Sequence, residues 1–347
     1  MTNAKRSTYV EDQTSQAHSA TRTLARAGIV AGATLTPIAA GIAYSRFAVQ
    51  HATPLPLAIA ADRREFRSPM AGQISYYADS SGDERPLALV HSVNAAASAF
   101  EMRPLFEYFR GQRPVYAIDL PGFGFSERPN QVYSAALYAT ALLDFLNEIG
   151  ARERGGADIV ALSLGGEFAA RAARHMPDRI HSLALISPTG LSGRAGGGLG
   201  RQWLRSVLAF PLWSQALYDA LVSRASLRSF LQRSFEGEID TGLLEYAWAT
   251  SHQPGARFAP LYFISGQLFT PDAVQSLYER VTQPTLALYD RDGYTSFDAL
   301  PALLAVRSNW QAERITPTLG MPQFERLGDT TRALQSFWAR MPVAQRI

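Results

Sequence analysis

The sequence predicts an α/β fold: a mostly parallel, doubly wound sheet, interrupted by a helical cap and preceded by an N-terminal membrane helix. Three observations predict it. From Pro86 onward, short apolar runs alternate with stretches of helical periodicity, the pattern of strands joined by crossover helices and covered on both faces. One run, Asp158 to Leu162, ends at Ser163 and passes directly into a helical stretch. Finally, Ala27 to Ser45 carry no charge, and Arg26 and Arg46 bracket them.

Composition narrows the function classes. The chain has 347 residues, of which 47% are hydrophobic, enough for a sizeable core. Lys plus Arg number 33 and Asp plus Glu 30, a net charge of +3. That balance argues against nucleic acid as a partner, which calls for a concentrated basic stripe. Cysteine is absent, which excludes disulfides, thiolate catalysis and thiolate metal sites. No cofactor or metal is expected.

Residues 1–25 are polar and read as a flexible tail. Residues 26–46 follow as the transmembrane candidate. As a helix, Ala27 to Ser45 would span roughly 28 Å, close to the thickness of a bilayer core. Gly28, Gly32 and Ala33 suit close packing against another membrane helix. The expected partners are therefore the lipid bilayer, through residues 27–45, and other membrane-protein subunits. A cleaved secretory signal and a helix packed on the soluble domain are the alternatives. The expected location is a single-pass membrane anchor with its soluble domain outside the cytoplasm. Residues 47–70, with three prolines between His51 and Pro69, read as a linker.

The core follows as 71–190 and resumes at 281–347. Pro86 to His91 is a buried-strand pattern leading into Ser92-Val93-Asn94. A helix is expected over about Ala99 to Arg110, then a strand at Val115 to Asp119. Ser134 to Ile149 reads as helix and Ile180 to Ile186 as strand. Ser163 has Ala161 and Gly165 two positions away on either side. A sharp strand-to-helix turn crowds those two positions, so small residues there fit a serine lifted clear of the sheet. The helix behind it offers free backbone N–H groups and a partial positive charge. Functional crevices in such sheets lie at the carboxyl ends of the strands.

These segments resemble the α/β-hydrolase family. Leu89-Val90-His91 with its small-residue loop looks like the oxyanion strand. Asp119-Leu120-Pro121-Gly122-Phe123-Gly124-Phe125-Ser126 is close to the signature after the next strand, and Ala161-Leu162-Ser163-Leu164-Gly165 looks like the nucleophile elbow. The combination is typical of the branch holding esterases, carbon–carbon bond hydrolases and haloperoxidases. The resemblance implies Ser163 as nucleophile and the backbone N–H groups of Val93 and Leu164 as oxyanion donors. Ser92 stands where the family usually has glycine. His91 is implied to order the loop rather than to act as base. Residues 191–280 resemble a helical cap, in which Leu204, Leu208, Phe210, Leu212, Trp213, Leu217 and Leu221 read as cap core. Pro284 to Gly293 resembles the late strand and acid turn. Asp292 matches the usual acid, with Asp290 the alternative.

The catalytic histidine is missing. The stretch Arg314 to Glu325 looks like the loop that carries it, but Gly320 stands at its position and Gln323 at the other place where relatives carry one. The final helix is expected over roughly Asp329 to Arg340. The six histidines are His18, His51, His91, His175, His181 and His252. His252, in the cap, is the possible substitute base. A serine hydroxyl is a poor nucleophile without a positioned base, and losing one triad member typically costs about 10⁴ to 10⁶ in turnover. The expectation is a membrane-anchored protein of this fold without efficient hydrolysis, serving as a structural or interaction subunit of a membrane assembly. One alternative is an active serine hydrolase of an apolar ester with a non-standard base. The other is a binder of a hydrophobic ligand beneath the cap.

Overall fold

A computed structural model describes residues 39–192 and 202–341. The tail, residues 26–38 of the expected membrane span, and the glycine patch Gly193 to Gly200 lie outside the described residues. The chain divides after Val49 into two units. The described part of the first is a short helix, α1 (residues 39–47). Among the described residues, no helix is long and apolar enough to cross a membrane.

The second unit is built on one eight-stranded sheet, in the order β1-β2-β4-β3-β5-β6-β7-β8. Its strands are β1 (Asp62–Ser68), β2 (Gly72–Asp79), β3 (Leu87–Val90), β4 (Val115–Ile118), β5 (Ala157–Leu162), β6 (Ile180–Ile186), β7 (Thr285–Tyr289) and β8 (Trp310–Arg314). β1 and β2 pair antiparallel, as do β2 and β4, and all other pairings are parallel. The central strands β3, β4 and β5 are buried at every residue, as parallel strands covered on both faces must be.

Alternation along each strand sends side chains to two separate cores. Val90, Ile159 and Ala161 join one core with α3 (Ala135–Glu148), α4 (Gly165–His175) and α11 (Leu300–Val306). Leu89, Val160 and Leu162 join the other with α2 (Arg103–Phe109) and α13 (Leu327–Ala339). α3 starts where Ser134 accepts a hydrogen bond from the Leu137 N–H at 3.1 Å, an N-cap worth about 1 kcal/mol. Between β6 and β7 lie the cap helices α5 (Gln202–Leu208), α6 (Ser214–Leu221), α7 (Arg224–Gln232), α8 (Thr241–Ser251), α9 (Phe258–Ile264) and α10 (Ala273–Ser276). A single turn, α12 (Pro322–Glu325), precedes α13.

Three expectations need correction. The linker at 47–70 contains a strand: Asp62, Arg63, Arg64, Glu65 and Arg67 pair along β2 at the sheet's edge. An edge strand need not be apolar, and charge there discourages further pairing. β8 was not anticipated either, because Trp-Gln-Ala-Glu-Arg has little apolar content. Third, much of the apolar row read as cap core is exposed. Leu212 is 62% exposed, and Phe210, Leu217 and Leu221 are exposed as well. Helical periodicity in an apolar row marks a face without saying what covers it.

Register sets the site. Val90 pairs with both Ile118 and Ala161, and Ile186 with both Leu162 and Leu288. The carboxyl ends of β3, β5, β6 and β7 are therefore level, and the residues just past them share one rim.

Candidate active site

Ser163 leaves β5 with a φ of 51°, in the left-handed region that costs a non-glycine residue of order 1 kcal/mol or more. Its N–H donates to Ile186 O at 2.8 Å, tying the bend to β6. The N-terminus of α4 begins two residues later. A Cβ at Gly165 would stand 2.5 Å from the His91 carbonyl oxygen, so only glycine lets the helix start this close to the loop after β3. The sequence reading of a strained elbow with small neighbours matches this geometry.

The facing loop is held from beneath. The buried Glu101 carboxylate accepts from the Ser92 N–H at 2.8 Å, the Ser92 hydroxyl at 3.0 Å and Asn94 Nδ2 at 3.0 Å. Ser92, in the place of the usual glycine, thus spends its hydroxyl on Glu101. His91 is fully buried; its Nε2 accepts from the Leu120 N–H at 2.9 Å, which leaves Nδ1 to donate to the Ser92 carbonyl. Burial holds its pKa down to about 4, so it is neutral and structural, as expected. The Val93 and Leu164 amides donate to no described residue and belong to the two loops that meet at Ser163. Val93 lines the cavity that Ser163 opens into, and Leu164 is the residue after Ser163.

Ser163, Val93, Asp292 and Gly320 line one cavity of about 230 Å³, together with Phe230, Leu231 and Met321 among others. Asp292 lies three residues beyond β7, and its Oδ1 accepts from the Tyr294 and Thr295 N–H groups at 2.7 and 3.1 Å. Its Oδ2 accepts nothing from the described residues. Burial raises the carboxyl above the usual range, against those two amides. Asp290, the alternative acid, instead accepts from Arg314 Nε at 2.7 Å and the Thr318 N–H at 2.9 Å and does not line the cavity. A Cβ on Gly320 would stand 2.9 Å from Asp292 Oδ2. Gly320 is therefore beside the acid, as the sequence position implied. Gln323 is buried elsewhere, donating to the Glu101 carbonyl at 3.1 Å.

No histidine lines this cavity among the described residues. His252 does not reach down from the cap. It is buried, its Nδ1 donates to Trp248 O at 2.7 Å, and its ring stacks on Trp248. His181 bonds Asp158 at the opposite end of the sheet, His51 bonds Asp219, and His175 ends α4. His18 lies outside the described residues.

Two features escaped the sequence reading. Glu101 was hidden in a helical stretch, although a lone acid among Ala99, Phe100 and Met102 was the available signal. Burial outweighs its hydrogen bonds and pushes its carboxyl up to about 7. A second cavity, of about 680 Å³, shares Thr189, Phe263, Phe269, Tyr294 and Thr295 with the first. Its lining includes Glu167, Asp272 and Glu279, and neither cavity is lined by Arg, Lys or His among the described residues. No cluster of three or more His, Cys, Asp or Glu able to hold a metal occurs among them.

A family model described as the alpha/beta hydrolase family matches residues 87–333. The 2-hydroxy-6-oxo-2,4-heptadienoate hydrolase of Pseudomonas putida is 28% identical over 183 residues, covering 49% of this chain and 65% of that protein. The chain spans less than two thirds of the length of the curated relatives it matches. Among solved structures, a serine hydrolase involved in carbazole degradation matches with a TM-score of 0.65 at 18% identity, covering 81% of this chain and all of that one (100%). A membrane phospholipase A described as a bacterial virulence factor matches with a TM-score of 0.65 at 20% identity, covering 94% and 99%. At such identities the structural likeness speaks to the fold alone. The sheet order, the strained serine between two idle amides and the family match across most of the chain agree: this protein belongs to the alpha/beta hydrolase family.

Proposed function

We propose that this chain is a family member without efficient serine hydrolysis, working instead as a binding or interaction subunit at a membrane. Its ligand is an apolar carbonyl compound held beneath the cap. One observation carries the reading: Gly320 stands beside Asp292, and among the described residues no imidazole lines the cavity that holds Ser163. The oxyanion donors remain, so a carbonyl can still be oriented and polarised. What is missing is a group to take the serine proton, a deficit of roughly 5 to 8 kcal/mol in barrier. Phe230, Leu231, Phe263, Phe269 and Met321 supply the apolar lining.

Attachment through residues 27–45, with the soluble part outside the cytoplasm, belongs to the same proposal. The uncharged run between Arg26 and Arg46 supports it. The test of the whole reading is labelling by a fluorophosphonate probe, alongside fractionation and co-purification in mild detergent. Weak labelling and recovery with membranes and partner subunits are expected. Strong labelling that disappears in Ser163→Ala overturns it.

A second reading has its own support. Glu101 lines the same cavity with its carboxyl pushed up to about 7, a value suited to a general base near neutral pH. The chain would then be an active hydrolase of an apolar ester, a reading in keeping with its hydrolase relatives. Ester turnover that depends on both Ser163 and Glu101, without added base, selects it.

A further inference from the structure

The Pseudomonas putida hydrolase that this chain resembles acts, by its name, on a dienoate, an anion. The lining of this site is built for the opposite charge. Glu101 and Asp292 face the smaller cavity and Glu167, Asp272 and Glu279 the larger, with no cationic side chain among the described lining residues. Asp292 is the specific feature. Two backbone amides fix Oδ1 and so the orientation of the whole carboxylate. Among the described residues Oδ2 has no partner, and it lies 2.9 Å from where a side chain at Gly320 would begin. A desolvated carboxylate oxygen without a donor is a costly arrangement that a ligand can relieve.

Resting on the reading that the chain itself brings no base to Ser163, we propose that the ligand brings one: the site takes a compound bearing an imidazole- or amine-type nitrogen, which sits in the notch between Gly320 and Asp292 and donates its N–H to Asp292 Oδ2. An imidazole ring placed there has its second nitrogen free to accept. In an ester bearing or accompanied by such a ring, Ser163 Oγ forms a bond to the carbonyl carbon and gives its proton to that nitrogen. The Val93 and Leu164 amides hold the oxyanion. The ester C–O bond then breaks, and the departing alcohol takes the same proton. Water repeats the sequence on the acyl-enzyme and releases the acid. No redox partner is needed, and every proton is accounted for.

Free imidazole tests this better than a Gly320→His variant. Gly320 has a φ of 121°, a backbone conformation that side chains rarely adopt, and a free ring does not have to satisfy it. The measurement is p-nitrophenyl butyrate hydrolysis by the full chain against imidazole concentration, with the Ser163→Ala rate subtracted. The expected result is a saturable gain of about ten-fold or more. 1-Methylimidazole should give no gain, because it has no N–H to offer Asp292 while accepting from the serine. Asp292→Asn should remove the gain. A flat response to imidazole with weak fluorophosphonate labelling overturns the inference and leaves the proposed function standing. Equal rescue by 1-methylimidazole also overturns it, since Asp292 is then not the partner. Rapid turnover before any imidazole is added overturns the proposed function itself.

Discussion

The two walls of the cavity are built to different standards. On the serine side most polar groups near the elbow are committed, the Val93 and Leu164 amides excepted: Ser163 N to β6, Ser92 and Asn94 to Glu101, and the His91 ring to Leu120 and Ser92. On the acid side Asp292 has one engaged oxygen and one idle one, and Gly320 leaves the facing wall open. The first wall is held by packing and satisfied hydrogen bonds whether or not chemistry occurs there. The second holds its carboxylate by two backbone amides on one oxygen alone. The shape of the serine wall therefore does not depend on what faces it across the cavity.

Substitutions should separate the walls by what they damage. Gly165→Ala drives a Cβ into the His91 carbonyl and should cost the most, about 3 kcal/mol or more, read as a lowered denaturant midpoint at unchanged slope. Glu101→Ala leaves the Ser92 amide and Asn94 without their acceptor and should cost about 2 to 3 kcal/mol. The pH dependence has a definite sign. Folding raises the Glu101 pKa to about 7, so the folded chain holds more protons than the unfolded one above the ordinary glutamate range. Stability should then fall as pH rises from about 4.5 toward 7, and Glu101→Gln should flatten that slope in thermal melts.

On the open wall the effects should appear in activity rather than in folding. Gly320→His should raise ester turnover about 10²-fold, with the gain lost when Ser163→Ala is added. Backbone strain at a φ of 121° keeps it below a full triad. An equal gain in the Ser163→Ala background would break the comparison. The smallest stability effect belongs to the cap, where Leu212→Ser changes an exposed residue and should shift stability by less than about 0.5 kcal/mol. Its readout is binding to anionic vesicles, which should weaken if that face meets a membrane.

The strained elbow at Ser163 and the placing of Val93, Asp292 and Gly320 around one cavity with it were legible, because each belongs to a local pattern of small residues and turn chemistry around a strand end. Glu101 was not legible as part of the site. Its role comes from Ser92 and Asn94 folding back over it, a tertiary contact that spacing does not encode. The cap was misjudged for a related reason: Phe210, Leu217 and Leu221 have helical spacing, but only the three-dimensional arrangement shows that nothing described covers them. His252 likewise looked available until Trp248 was seen to hold its ring.

The charged strand at Asp62–Ser68 also bears on how the protein can be shortened. The matched family region begins at residue 87, an inviting place to cut. Removing everything before it would take away both β1 and β2 and bare the edge of β4, whose four residues Val115–Ile118 are all buried. Cutting at residue 70 instead would bare β2, with Ile74, Tyr76 and Tyr77 buried along it. Either trimmed chain offers neighbouring molecules a sticky, hydrogen-bond-hungry border and should precipitate, whereas one beginning before Asp62 keeps its own fence of arginines and acids.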